Sequence, residues 1–187
     1  MRRRCLRFAA IAALILSACT TIARHEFASD RISVIMRGSG PDVILIPGLT
    51  GHREEAWGDV LETLNDRYRL HLIQVNGFAG VEPGANAEGP VSAPVAEEIA
   101  RYIREAGLAR PAVIGHSMGG TIGMMLAARH PDDVGRLMVV DMMPFMGELF
   151  GPAGATPDGL RGIADQARAR ILEDPPGTGF IAQLSRA

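Results

Sequence analysis

The chain has 187 residues, which is the length of a single domain. Its 47% hydrophobic and 21% charged residues are typical of a globular protein and exclude a disordered one, because such a composition can bury a core. The formal net charge is only −2, and the 19 basic residues, all arginine, are scattered, so no basic stripe for a nucleic acid partner is present.

Residues 1–18 have the pattern of a signal peptide. Four arginines precede residue 8, and the apolar run of residues 8–16 is too short to span a bilayer. The following Leu16-Ser17-Ala18-Cys19 resembles the bacterial lipobox, in which the cysteine becomes the lipidated first residue of the mature protein. We therefore predict a lipid anchor on Cys19, a tether over residues 19–30, and a bacterial cell-envelope location at the periplasmic face of a membrane. A plain secretion signal and an uncleaved anchor are the alternatives.

Both cysteines, Cys5 and Cys19, lie in this N-terminal segment, so the following domain has no disulfide, thiol nucleophile or cysteine metal site. No motif for another metal site or for a cofactor is found, and none is predicted. Removing residues 1–18 with their four arginines leaves 15 arginines against 21 acidic residues, a formal charge of −6. That charge disfavours anionic polymers as partners.

The first half of the domain alternates strands with helices. Residues 31–37 alternate in polarity and predict an edge strand, and the apolar residues 42–46, closed by Pro47-Gly48, predict a buried parallel strand. Four apolar side chains at the spacing i, i+3, i+4, i+7 predict one amphipathic helix over residues 54–66: Trp57, Val60, Leu61 and Leu64. A strand is predicted over residues 68–75, and a loop rich in Gly, Pro and Ala follows over residues 79–94.

The second half continues the same alternation. The pattern predicts a helix from Val95 to a stop at Gly107, a strand at 110–114, an apolar helix at 121–128 and a strand at 134–140. This order predicts a doubly wound, mostly parallel α/β sheet. The apolar residues 142–150 come just after the last strand, where they either line an acyl-substrate pocket or pack under a loop. A last helix over residues 160–172, with Ile163, Ala167 and Ile171 on one face, is placed to cover them.

The most informative motif is the run Gly115-His116-Ser117-Met118-Gly119, which joins an apolar strand to a helix. A serine at such a sharp turn projects its hydroxyl from the sheet edge in a strained backbone conformation. Glycines at 115 and 119 are needed because Cβ atoms there would meet the neighbouring backbone. The helix that starts beside the serine directs free N–H groups at developing negative charge. The alternative is an ordinary serine in a glycine-rich turn.

Over residues 31–150 the chain resembles the alpha/beta-hydrolase family. The resemblance is specific at the serine motif and at Leu45-Ile46-Pro47-Gly48-Leu49-Thr50-Gly51, which stands where the family has its oxyanion loop. It implies that Ser117 is the nucleophile and that the N–H groups of Leu49 and Met118 are the oxyanion donors, with Gly48 allowing close approach of the substrate. Residues 151–187 then begin a helical cap.

The resemblance also implies a catalytic acid and then a histidine after the serine. His130 alone follows Ser117, and it lies thirteen residues further on, about 20 Å along a helix. Asp141 is a possible acid, and His52 is a remote candidate for the base. We expect an incomplete sheet, lacking its last strands, in a fragment of a serine hydrolase that acts on an apolar ester or similar acyl substrate. A non-catalytic lipoprotein or binding remnant of this fold is the alternative.

Overall fold

The computed structural model describes residues 27–49, 51–145, 147 and 151–173. Within them, five strands form one sheet in the order β1-β3-β2-β4-β5. The strands are β1 (Ile32–Gly38), β2 (Asp42–Ile46), β3 (Arg69–Val75), β4 (Ala112–His116) and β5 (Arg136–Val140). The helices are α1 (Val60–Asn65), α2 (Ser92–Glu105), α3 (Met118–Arg129) and α4 (Pro157–Glu173). The predicted signal peptide and the lipidation site Cys19 lie outside the described residues.

The prediction of a mostly parallel α/β sheet is confirmed. The three ladders β3–β2, β2–β4 and β4–β5 are parallel, and only β1 runs antiparallel, at the edge that its polarity pattern predicted. Ile46 pairs with Gly115 in the β2–β4 ladder. Because the strands are parallel, the loops after β2, β3, β4 and β5 all leave at one carboxyl edge, which is where ligands bind in such sheets.

Alternation along the strands divides the core between the two faces of the sheet. Ile44 and Ile46 of β2 face α2 and α3, whereas Val43 and Leu45 face α1. These four side chains are 0–5% exposed, which accounts for the continuous apolar run that predicted a buried strand. The described helices therefore cover both faces, as a doubly wound sheet requires.

The predicted helix over residues 54–66 is wrong in its extent. The structure has a 3-10 turn at Glu55–Trp57 and then α1, and the two are separated at Gly58, whose φ is +45°. Residues of a right-handed helix have a negative φ, whereas this positive φ is one that glycine adopts readily and other residues rarely do. The helix therefore cannot continue through Gly58. Three of the four apolar residues of the predicted helix still face the core, because Trp57 and Leu64 pack beside buried Leu61. The fourth, Val60, is 55% exposed.

A polar network ties α2 to the amino edge of the sheet. The His71 ring is 1% exposed, with Nδ1 2.5 Å from the Tyr102 hydroxyl and Nε2 2.9 Å from Asp42 Oδ1. The Arg69 guanidinium, and after it His71, outweigh desolvation and lower the pKa of the Asp42 carboxyl below its usual range. Asp42 begins β2, so this network supports the end of the sheet opposite the loops.

The segment before β1 is packed onto α2. The rings of Phe27 and Tyr102 meet edge to face at 5.1 Å between centroids, and the Arg101 guanidinium lies 4.2 Å from the Phe27 centroid. Arg101 Nη2 also donates a hydrogen bond of 2.7 Å to the carbonyl of Ala28. Residues 27 and 28 are thus part of the folded domain.

Helix α4 confirms a helix where the apolar pattern predicted one. Its Ile163 is 61% exposed, so this side chain does not form the packed face that the pattern suggested. Leu160 is half-buried and lies near Gly147 and Gly151. No helix in the described part of the chain has the length and hydropathy needed to cross a membrane.

Candidate active site

Ser117 occupies the turn between β4 and α3. Its φ of +50° and ψ of −120° lie outside the regions that L-residues favour, a strain of about 1–3 kcal/mol. Its N–H donates to the Val140 carbonyl at 2.9 Å, and its own carbonyl accepts from the Gly120 N–H at 2.8 Å. These bonds hold the strained residue at the carboxyl edge of the sheet, half-buried, at the N-terminus of α3.

Glycines flank Ser117 because the backbone segments around it touch. A Cβ on Gly115 would overlap the carbonyl oxygen of Gly119. A Cβ on Gly119 would overlap the Ile46 carbonyl oxygen and stand 2.6 Å from the Pro47 oxygen. The turn is therefore pressed against its own helix and against the end of β2, which only residues without a Cβ permit.

The loop after β2 lies directly against Ser117. A Cβ on Gly48 would stand 3.3 Å from the Ser117 Cβ and 3.0 Å from Nδ1 of His116. Gly51 N–H donates to the Gly48 carbonyl at 3.2 Å and closes a turn around half-buried Leu49. Among the backbone hydrogen bonds of the described residues, none uses the Leu49 N–H. That N–H is thus left available beside the serine.

Met118 supplies the other predicted donor. It is the first residue of α3, so its N–H is among the four that a helix leaves without an intrahelical acceptor. The positive end of the helix dipole adds a favourable field for an anion at the same place. Two N–H groups on separate loops can therefore converge beside Ser117, the arrangement that stabilises an oxyanion.

Asp141 directly follows β5, next to the serine turn. Its φ is +55°, so both this residue and Ser117 are strained at neighbouring strand ends. Its side chain is 85% exposed, and Oδ2 is 3.9 Å from Nε2 of His116. This distance exceeds that of a hydrogen bond. The position leaves the carboxylate open to solvent at the carboxyl edge.

Three of the four histidines in the described chain contact groups away from Ser117, and the fourth, His116, directly precedes the serine and lies beside Gly48. His130 follows α3 and its Nε2 is 2.7 Å from Glu97 Oε2, and His71 lies within β3. His52 Nδ1 receives a long hydrogen bond of 3.5 Å from the Glu54 N–H. Among the described residues, no hydrogen bond joins a histidine to the Ser117 hydroxyl. The N–H groups of Leu49 and Met118 thus stay predicted donors, and the described residues place no histidine base in contact with the Ser117 hydroxyl.

Side chains around the serine turn are apolar on the β5 side. A Cβ on Gly120 would stand 2.9 Å from Val139 Cγ1 and 3.1 Å from Met142 Cβ. Met142, Met143 and Phe145 are half-buried. Met146 and residues 148–150 of the predicted pocket segment lie outside the described residues. Across the described side chains, no three His, Cys, Asp or Glu residues are grouped to hold a metal ion.

The sequence interpretation missed one residue that contacts this loop. Gln74 lies in β3 and is 1% exposed. Its Oε1 accepts a hydrogen bond of 2.9 Å from the N–H of Arg53, which lies in the segment that joins β2 to α1. A lone amide among the apolar residues of β3 was the available signal. Its partner was not readable from the sequence, because the contact spans 21 residues.

Residues 41–173 match the family described as the alpha/beta hydrolase fold. A pimeloyl-(acyl-carrier protein) methyl ester esterase of Aeromonas hydrophila is 35% identical over 134 residues, covering 71% of this chain and 50% of that protein. A fluoroacetate dehalogenase of a Burkholderia species is 29% identical over 122 residues, covering 60% and 38%. The chain spans about half the length of the curated relatives it matches.

Solved structures agree with the sequence relatives. A marine microorganism esterase superposes with a TM-score of 0.57 at 25% identity, covering 80% of this chain and 53% of that protein. An esterase from Exiguobacterium antarcticum has a TM-score of 0.57 at 24% identity over 74% of this chain, a likeness of fold alone.

Proposed function

Because the chain belongs to the alpha/beta hydrolase fold family, we propose that it carries the nucleophile and oxyanion hole of a serine esterase. One observation carries the proposal: Ser117 has a φ of +50° and lies against Gly48 of the loop that presents the Leu49 N–H. Such strain persists only where the surroundings enforce it, and it gathers at functional sites. A serine at this position supports acyl chemistry over the aspartate-based chemistry of a haloalkane dehalogenase.

In the proposed reaction Ser117 Oγ bonds to the carbonyl carbon of an ester while its proton passes to a base. The carbonyl oxygen becomes an oxyanion that accepts hydrogen bonds from the N–H groups of Leu49 and Met118. The alcohol then leaves with a proton, and water releases the acyl group from the serine. Removing one such donor lowers kcat by about 10²–10³ in comparable sites.

We further propose that the base is a histidine beyond residue 187 of a longer protein, of which this chain is a fragment. The half-length match to the relatives and the absence of a histidine contact to Ser117 in the described chain support this. Asp141 is the proposed acid, since it follows β5, the strand beside the serine turn, at the carboxyl edge of the sheet where Ser117 lies. The open reading frame beyond the last codon should then encode a strand, a late histidine and the remainder of the helical cap that starts at about residue 151.

Labelling by a fluorophosphonate probe tests the nucleophile. The 187-residue chain should label slowly or not at all, because the serine lacks a base, whereas a chain extended through the downstream histidine should label rapidly. Ser117→Ala should abolish labelling in the extended chain, and Ser39→Ala, at an exposed turn, should leave it unchanged. Persistent labelling of the S117A variant would overturn the assignment.

A non-catalytic role is the second candidate, favoured because His52, His71 and His130 contact groups away from Ser117. In that case the chain binds acyl compounds without turning them over. An extended reading frame that encodes no late histidine would favour this candidate. Hydrolysis of p-nitrophenyl esters by the extended protein would exclude it.

The proposed substrate is a small ester with an apolar acyl group, since Met142, Met143 and Phe145 follow β5 at the site edge. One relative is a pimeloyl-(acyl-carrier protein) methyl ester esterase, an activity compatible with this class. We also propose attachment of the protein to a bacterial envelope membrane through lipidated Cys19. Incorporation of labelled palmitate, lost in Cys19→Ser, tests the anchor, and a cleaved, unlipidated product would contradict it.

A further inference from the structure

We propose that Gln74 is a positioning residue that sets the oxyanion loop, defined here as residues 47–54. The proposal rests on the proposed function, because it assumes that the Leu49 N–H of this loop serves as a donor. Gln74 does not touch the reacting atoms. It acts through the backbone of Arg53, at the far end of the loop from Gly48.

Gln74 is a buried amide in an apolar strand. It is 1% exposed, and alternation places it on the same face of β3 as buried Leu70 and Leu72. A leucine or methionine at this position would add to that core, whereas a buried amide without partners costs about 1–3 kcal/mol. An amide is tolerated here because its polar atoms are bound.

Each end of the Gln74 amide has a backbone partner. Oε1 accepts from the Arg53 N–H at 2.9 Å, while Nε2 donates to the Val75 carbonyl at 3.2 Å and to the Phe78 carbonyl at 3.4 Å. The two donor bonds fix the plane of the amide, so the oxygen points to one place. Arg53 is thereby held at a position that β3 determines.

A side-chain hydrogen bond of Arg53 also holds this residue against the sheet. Arg53 Nη1 donates to Ser33 Oγ at 3.1 Å, and Ser33 pairs with Gln74 across the β1–β3 ladder. Backbone and side chain of Arg53 are thus held by two adjacent residues of the sheet. An exposed loop would not need two such contacts in order to fold.

The oxyanion loop is consequently fixed at both ends. Its first residues are pressed onto Ser117 through Gly48, and its last residues are held by Gln74. The Leu49 N–H lies between these points, in the turn that the Gly51 to Gly48 hydrogen bond closes. Since a donor must stand within about 2.7–3.1 Å of the oxyanion, a small shift of this loop is expected to weaken the site.

The test uses Gln74→Met, which keeps the volume of the side chain and removes the amide. Asn86→Leu is the matched control, because Asn86 is another buried amide with three hydrogen bonds, none of them to the oxyanion loop. Hydrogen exchange of peptides that span residues 47–54 and fluorophosphonate labelling of Ser117 in the extended chain are measured at equal folded fraction.

Q74M should lose exchange protection at residues 47–54 and label Ser117 about tenfold to a hundredfold more slowly, the size expected for a catalytic group displaced by about 1 Å. N86L should lower the melting temperature without either effect. Unchanged loop protection in folded Q74M, or equal labelling losses in Q74M and N86L at matched stability, would overturn the proposal.

The wild-type chain supplies a measurement that needs neither a variant nor activity. The Arg53 amide should exchange as slowly as the amides of β3, because its acceptor is buried, and exchange at the rate of an open loop would refute the role of Gln74. Failure of the proposed function looks different. It would leave Ser117 unlabelled, or S117A labelled, while the Arg53 amide stayed protected.

Discussion

Gly119→Ala is expected to destabilise the fold strongly, because one methyl group would enter the contact between α3 and the end of β2. The added Cβ would overlap the Ile46 carbonyl oxygen and stand 2.6 Å from both the Ile46 carbonyl carbon and the Pro47 oxygen. Ordinary contact begins near 3.4 Å. Relief would therefore need a movement of close to 1 Å by backbone at the end of the buried strand β2.

The expected cost follows from that geometry. Overpacking of a core costs about 1–3 kcal/mol when side chains can adjust, and here the opposing atoms are backbone, so we expect the upper end or more. A domain of this kind is stable by only about 5–15 kcal/mol, so the loss is a large fraction of the total. Labelling of Ser117 should fall as well, since β2 leads into the oxyanion loop.

Urea unfolding followed by far-ultraviolet circular dichroism measures the change in free energy of unfolding. Gly162→Ala is the matched control, because a Cβ on Gly162 meets nothing within 4 Å and the residue lies in α4. That substitution should be neutral or stabilise by up to about 1 kcal/mol, from helix propensity alone. A G119A protein within about 0.5 kcal/mol of the wild type, the usual range of a surface change, would refute the close-packing argument.

Three further outcomes are expected. Gly48→Ala should keep the midpoint of unfolding nearly unchanged, because the added Cβ meets only side-chain atoms of His116 and Ser117, at 3.0–3.4 Å. It should slow labelling of Ser117 in the extended chain, and an unaffected labelling rate would contradict the placement of the loop. The free energy of unfolding should fall as the pH drops through the lowered pKa of Asp42, since the unfolded chain then binds more protons than the folded one. In a pH series of urea titrations, Arg69→Gln should flatten this acid limb, the fall of the unfolding free energy at low pH. An acid limb as steep in R69Q as in the wild type would argue against the pair. Phe27→Ala should lower the melting temperature, and Phe27→Leu should lower it less, because both lose the ring contacts with Tyr102 and Arg101 but leucine keeps part of the apolar volume; wild-type melting temperatures in both variants would show that the Phe27 side chain adds nothing to the domain.

The sequence by itself determined the elements that have strong local signals. The apolar run of β2, the strand–glycine–serine–glycine turn and the helix after it were all readable, because strand periodicity and glycine requirements are properties of short segments. The edge position of β1 was readable for the same reason, from its alternating polarity. The helix over residues 54–66 was not, since an apolar period of 3.6 continues in the sequence across Gly58 even though the chain does not follow it.

Tertiary structure alone decided what meets at the carboxyl edge. Parallel pairing of β2 with β4 brings Gly48 onto Ser117, which is 69 residues away in sequence, and no local pattern encodes that approach. The same holds for Gln74, whose side chain reads as an isolated polar residue until the fold places Arg53 and Phe78 beside it. Local backbone preferences select strands and turns, but contacts between distant segments depend on strand order and register. These arise only when the whole sheet buries its two faces.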